Sequence, residues 1–172
     1  MRCILVGNYG VGNFGDEALK EYFLESFKEV QWTVVTAAHV MVSTDEPYMR
    51  EVPRLPTGLR SLFRPWWLTL AAIARSEAMV FGGGSLFTDA ESSFACFLWW
   101  WHAVFGWMMG KKIILAFQGI GPFRTKRGEW FARWVSSRST YISVRDTLSM
   151  ERVKGWNLNT KIVQTFDPVL SL

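Results

Sequence analysis

Histidine and cysteine are scarce in this 172-residue chain, with two of each. Cys3 and Cys96 cannot build a disulfide scaffold or a cysteine-rich zinc site. Each lies in an apolar run and reads as a small buried hydrophobe in a reducing compartment. His39 and His102 have no metal-ligand spacing, so no metal site is expected, and His102 reads as a core or helix-face residue. No G-x-S-x-G elbow is present. Charge is sparse as well: 20% of residues are charged against 49% hydrophobic, which excludes a disordered or collagen-like chain. The basic residues are scattered and match no nucleic-acid motif, so no nucleic-acid partner is expected. The net charge of +4 permits an anionic ligand or a membrane surface without requiring either. The first apolar stretch, residues 3–6, is too short for a secretory h-region and runs straight into glycines.

What the chain has in excess is aromatic side chain, with 10 Trp and 13 Phe. Residues 92–110 carry no formal charge and approach the ~20 residues of a bilayer span. The stretch contains His102, Gly106 and four tryptophans, and tryptophan favours the membrane interface over its centre. It also falls inside a regular alternation of strands and helices. A buried crossover helix is therefore the expectation, with an interfacial element as the alternative.

Short apolar runs rich in Val and Ile recur at 2–6, 32–36, 78–81, 112–116, 141–144 and 161–165. They are continuous more than alternating, as in strands covered on both faces of a parallel sheet. Between them, helical spacing predicts helices over 16–30, 65–75 with Pro65 at its first position, 91–109, 128–137 and 147–154. Residues 40–62 contain Pro47, Pro53 and Pro56 and are expected to be irregular. The order is that of an α/β fold, a doubly wound, Rossmann-like open parallel sheet with six strands.

Ligands of such sheets bind at the carboxyl ends of the strands. Three junctions there are glycine-rich: residues 7–17, residues 82–89 and residues 118–122. Glycine lets backbone amides approach a ligand, and a helix N-terminus adds partial positive charge, so such loops suit phosphate or carboxylate. The first loop holds a literal G-x-G-x-x-G at Gly10, Gly12 and Gly15. It begins too late after its strand for a dinucleotide site. Ala37, Ala38 and His39 stand where an acidic residue would bind ribose. A Walker A loop is missing, so no nucleotide cofactor is expected.

Two polar residues stand out at these junctions. Asp16 opens a helix and reads either as an N-cap or as a carboxylate for sugar hydroxyls and acid/base work. Arg145 ends a strand, where its planar fork suits a phosphate or carboxylate; the alternative is an ion pair with Asp146 or Asp167. Arg124, Lys126 and Arg127 read as a solvated basic turn.

Five motifs then occur in order. They are Gly-Asn-Phe-Gly-Asp-Glu-Ala-Leu at 12–19, Gly82-Gly83-Gly84-Ser85-Leu86 with Asp89, Gln118-Gly119-Ile120-Gly121-Pro122, Ser143-Val144-Arg145-Asp146 with Ser149, and Asp167-Pro168. This pattern resembles the amino-terminal half of the polysaccharide pyruvyl transferase family. The resemblance implies the N-terminal domain of a GT-B-like two-domain transferase over residues 1–169, with 170–172 starting a linker to a second domain. It implies transfer of a pyruvate ketal from phosphoenolpyruvate to a sugar of a cell-wall or capsular glycan, often lipid-linked. Arg145 matches an arginine that holds phosphoenolpyruvate, and Asp16 matches the acidic residue of the first loop. The candidate substrate-binding set is Gly12, Asn13, Gly15, Gly83, Gly84, Ser85, Gln118, Gly119, Gly121 and Arg145. The main catalytic histidine and further cations would come from the second half or a partner chain. The expected place is the cytoplasm; residues 59–68 read as a core-packed helix with two exposed arginines or, as the alternative, as a basic-aromatic segment that docks peripherally at the inner face of the membrane. Two alternatives stand beside this reading: half of a nucleotide-sugar glycosyltransferase, and a non-catalytic binding domain that works with a partner chain.

Overall fold

A computed structural model describes residues 1–37, 49–59, 63–90 and 92–171. Strand β1 (Arg2–Tyr9) is followed by α1 (Phe14–Ser26), β2 (Gln31–Thr36), β3 (Met49–Pro53), α2 (Trp67–Arg75) and β4 (Ala78–Gly82). Then come α3 (Ser93–Met108), β5 (Lys112–Gln118), α4 (Lys126–Arg138), β6 (Tyr141–Val144), α5 (Thr147–Gly155) and β7 (Lys161–Gln164). A 3-10 turn over Pro168–Ser171 closes the described chain.

All described strand pairs are parallel, in the order β3-β2-β1-β4-β5-β6-β7. The central strands are the most apolar because both of their faces are covered. Leu5 on β1 faces Val34 on one side and Val80 on the other, and it is fully buried. Each such side chain contributes about 1.5–3 kcal/mol by leaving water. Two cores result. Phe23 of α1 packs with Leu5, Trp32, Val34 and Val80 on one face. The buried residues of α2, α3, α4 and α5 share the other face with Ile4, Val6, Met79 and Ile113.

The seventh strand corrects the expectation of six. Residues 49–53 were expected to be irregular, yet they pair with β2 from Trp32↔Met49 to Thr36↔Pro53. An edge strand tolerates charged Arg50 and Glu51, and a proline at its last position. Helix α1 starts at Phe14 rather than Asp16, because Asn13 takes the N-cap and its side chain accepts from the Gly15 amide at 3.2 Å. Pro65 lies before α2 instead of heading it, since Trp66 is the N-cap. Helix α3 is the expected crossover element, and among the described residues no helix is long and apolar enough to cross a membrane. His39 and the stretch 60–62 of the expected docking segment lie outside the described residues.

Candidate functional site

The chain leaves β1 toward β2 and β3, then returns to place β4 on the opposite side of β1. The order therefore reverses between β1 and β4, which opens a crevice at their carboxyl ends. The loops after β1, β4 and β5, together with the ends of β3, β6 and β7, all lie at this edge.

Asp16 sits where the first two loops meet. With Asn13 as the cap, the Asp16 carboxylate turns back into the loop. Its Oδ2 accepts from Asn8 Nδ2 at 3.1 Å and from Asn13 Nδ2 at 2.8 Å. Its Oδ1 lies 2.7 Å from where a Cβ at Gly84 would stand, and Gly84 has φ +72°. Only glycine meets both conditions, so the Gly83-Gly84 turn is shaped to receive the carboxylate. Asp16 is 8% exposed. Burial raises its carboxyl above the ordinary range; the Asn8 hydrogen bond and the charges of Arg145 and Arg54 only partly oppose this. A carboxyl poised this way can hold and release a proton.

Arg145 occupies the other side of the edge. Its Nη1 donates to Asp167 Oδ2 at 2.5 Å and its Nη2 to Ser85 Oγ at 3.0 Å. Asp167 is thus its ion-pair partner. Asp146 instead caps α5, accepting from the Ser149 amide and hydroxyl, each at 2.7 Å. A Cβ at Gly119 would stand 2.8 Å from Ser85 Oγ and 3.3 Å from Arg145 Nε. The third loop is therefore bare where the guanidinium passes. Arg145 and Asp167 remain about a quarter exposed, at 28% and 25%.

A profile described as polysaccharide pyruvyl transferase matches residues 13–172. The chain belongs to the polysaccharide pyruvyl transferase family. The matched region runs from the α1 cap through the 3-10 turn and contains Asp16, Gly84, Ser85, Arg145 and Asp167. No curated protein matches the chain.

The remaining candidates of this pyruvyl transferase family member divide by placement. Gln118 is fully buried, and its Nε2 donates to the carbonyls of Phe81, Gly83 and Ala116 at 3.0–3.2 Å. It stitches β4 to β5 behind the crevice. The β5 end that carries it is irregular: its register with β6 shifts between Leu115 and Gln118, and Phe117 has φ 55°. The amides of Gly83, Gly119 and Gly121 donate to the carbonyls of Ala116, Gly84 and Phe87. These glycines serve the close approach of loops. Gly12, Asn13 and Ser85 are exposed along the edge, and Gly15 is half-buried. Asp89 holds the third loop from inside. Burial pushes its carboxyl up, but hydrogen bonds from the Thr125 hydroxyl and the Arg124 and Thr125 amides outweigh that and keep it low. Arg124, Lys126 and Arg127 are exposed, as a solvated basic turn would be.

One residue of the site escaped the sequence reading. Arg54 follows β3, in the stretch expected to be irregular. Its Nη2 donates to Asn8 Oδ1 at 3.0 Å, and its guanidinium lies over the Trp99 ring at 5.1 Å. Its Nε is buried without a partner among the described residues. Because Asn8 Oδ1 accepts from Arg54, Asn8 Nδ2 is the atom turned toward Asp16. Next along the chain, the Leu55 amide donates to His102 Nε2 at 3.0 Å, while His102 Nδ1 lies 2.8 Å from the Leu98 carbonyl and donates to it. Burial drives this imidazole down to about 4, so it is neutral at ordinary pH and structural. The only local signal for Arg54 is the one Arg145 shares, a cation just past a strand end.

Proposed function

We propose that this edge binds phosphoenolpyruvate and serves transfer of its three-carbon unit to two hydroxyls of a glycan sugar, as a pyruvate ketal. The observation that carries the reading is Arg145, held by Asp167 and Ser85 across the crevice from a buried Asp16 whose carboxyl is raised by burial. A donor with a phosphate and a carboxylate calls for a planar guanidinium fork, and Arg54 adds a second cation on the far side of Asp16. In the reaction, the methylene carbon of the donor gains a proton and C2 becomes oxocarbenium-like. One sugar hydroxyl adds to C2, phosphate departs, and the second hydroxyl closes the ketal. Of the two hydroxyl protons, one ends on the methyl carbon and one on phosphate. Asp16 is the group on this chain that carries a proton between those atoms, and its ionised form stabilises the cationic carbon. The described histidine, His102, is buried away from this step. The catalytic histidine is assigned to a second domain or partner chain, and the acceptor to a cell-wall or capsular glycan. The reaction as written calls on no cofactor beyond the donor itself. The two buried free cysteines fit a reducing, cytoplasmic compartment.

Calorimetry tests the donor class. Phosphoenolpyruvate is expected to bind, and Arg145→Ala to weaken it by about 2 kcal/mol, roughly thirtyfold, the value of a charge-assisted contact. Preference for a nucleotide sugar, or binding that ignores Arg145→Ala, would reject the reading.

A further inference from the structure

Six of the ten tryptophans lie on α3 and α4. A helix that flanks a sheet ordinarily shows charge on its outer face. Helix α3 has none along its 16 residues, and it exposes Phe94, Trp107 and Met108, each at least half accessible. Helix α4 packs beside it and buries Gly128, Ala132, Val135 and Ser136. Its outward rows alternate cation with ring. One row is exposed Lys126, Trp130 and Arg133; the next runs Arg127, half-buried Phe131 and Trp134, then Arg138, so that rings are flanked by cations. The rings join into one sheet of aromatic contact: Trp100 meets Phe131 at 5.0 Å and Trp134 at 5.9 Å, and Trp107 meets Trp134 at 5.8 Å. Arg138 lies over both Trp134 and Trp107, at 4.1 and 5.3 Å.

We propose that this α3–α4 face docks on an anionic lipid bilayer, lying in the interface plane. Charge selects the occupant. Helix α4 carries four cations against Glu129, whose Oε1 accepts from Trp156. A second copy of this face would set arginine against arginine, in a chain whose net charge is already +4. An anionic headgroup layer matches those cations, while indole and phenyl rings settle at the acyl boundary. The α3 stripe is about 24 Å long at 1.5 Å per residue, long enough for broad contact, and the helix stays packed on the sheet.

Co-sedimentation of the full chain with vesicles decides this. Binding is expected to phosphatidylcholine vesicles containing phosphatidylglycerol, to weaken in high salt, and to be slight on phosphatidylcholine alone. Each basic residue near the surface contributes about fivefold, so Arg127→Gln/Arg133→Gln should lower partitioning about 25-fold. Trp130→Ser, at an exposed position, should lower it independently of salt. Failure to bind anionic vesicles, or binding untouched by either variant, overturns the proposal. So does a dimer in solution that Trp130→Ser disperses, because the face would then belong to a second copy.

Discussion

Asp16 is held at a cost to the fold. Its carboxyl is raised by burial, so the folded chain takes up a proton more readily than the unfolded chain does. A group raised in this way favours the fold below its unfolded value and loses that contribution as pH climbs through its folded value. At neutral pH the buried carboxylate is therefore a liability, which the role proposed for it would explain. Asp16→Asn is expected to raise the melting temperature at pH 7, with the gain shrinking toward pH 4, and to abolish transfer activity in the complete enzyme. Thermal melts across pH check the first half; a variant less stable than wild type at pH 7 would contradict it. Asp16 was legible in the sequence because it sits among the glycines of the first loop, and Arg145 because it ends a strand within a motif. Which oxygen of Asp16 meets Gly84, and that Asn13 rather than Asp16 caps the helix, were not. Those outcomes turn on where one loop lands against another.

At the scale of elements, the apolar runs marked six strands correctly, and β6 matches its expected bounds of 141–144. Strand β3 was invisible for a physical reason. Met-Arg-Glu-Val-Pro has neither the apolar continuity of a central strand nor clean alternation, and only pairing with β2 makes it extended. That miss concealed Arg54, which owes its place to the end of β3. The structure makes Arg54 a positioning residue for Asp16 through Asn8. Its charge also pulls the Asp16 carboxyl down. Arg54→Met should therefore move Asp16 to a higher titration point, while Arg54→Lys, which keeps the charge, should move it less. Carboxyl-carbon NMR of Asp16 reads both, and equal titration in all three proteins would remove Arg54 from the site. The fold should survive the change, since a stacking contact of about 2 kcal/mol over buried Trp99 is smaller than a domain's ~5–15 kcal/mol.

The whole molecule is layered unevenly, with α1 on one face and the buried residues of α2 through α5 on the other. The heavier layer contains a group that lowers stability in acid. His102 is fully buried, its Nδ1–H spent on Leu98 and its Nε2 lone pair on the Leu55 amide. Its folded value of about 4 lies below the ordinary 6.5. Between those limits the unfolded chain binds a proton that the folded chain refuses, so stability falls as pH drops from about 6.5 to about 4. The depression corresponds to about 3 kcal/mol at ~1.4 kcal/mol per pH unit, a large part of a domain's 5–15 kcal/mol. Asp16 works in the opposite sense, so the two partly offset each other in acid. Protonating Nε2 removes the acceptor that holds Leu55, next to Arg54. Acid should therefore loosen the junction between β3 and α3 first, and the Asn8–Asp16 contact with it. Denaturant unfolding from pH 4 to pH 7 should show this slope in the wild-type chain and a flattened one in His102→Gln, whatever the absolute stability of the variant. A variant that keeps the full slope would assign acid sensitivity to the carboxylates instead.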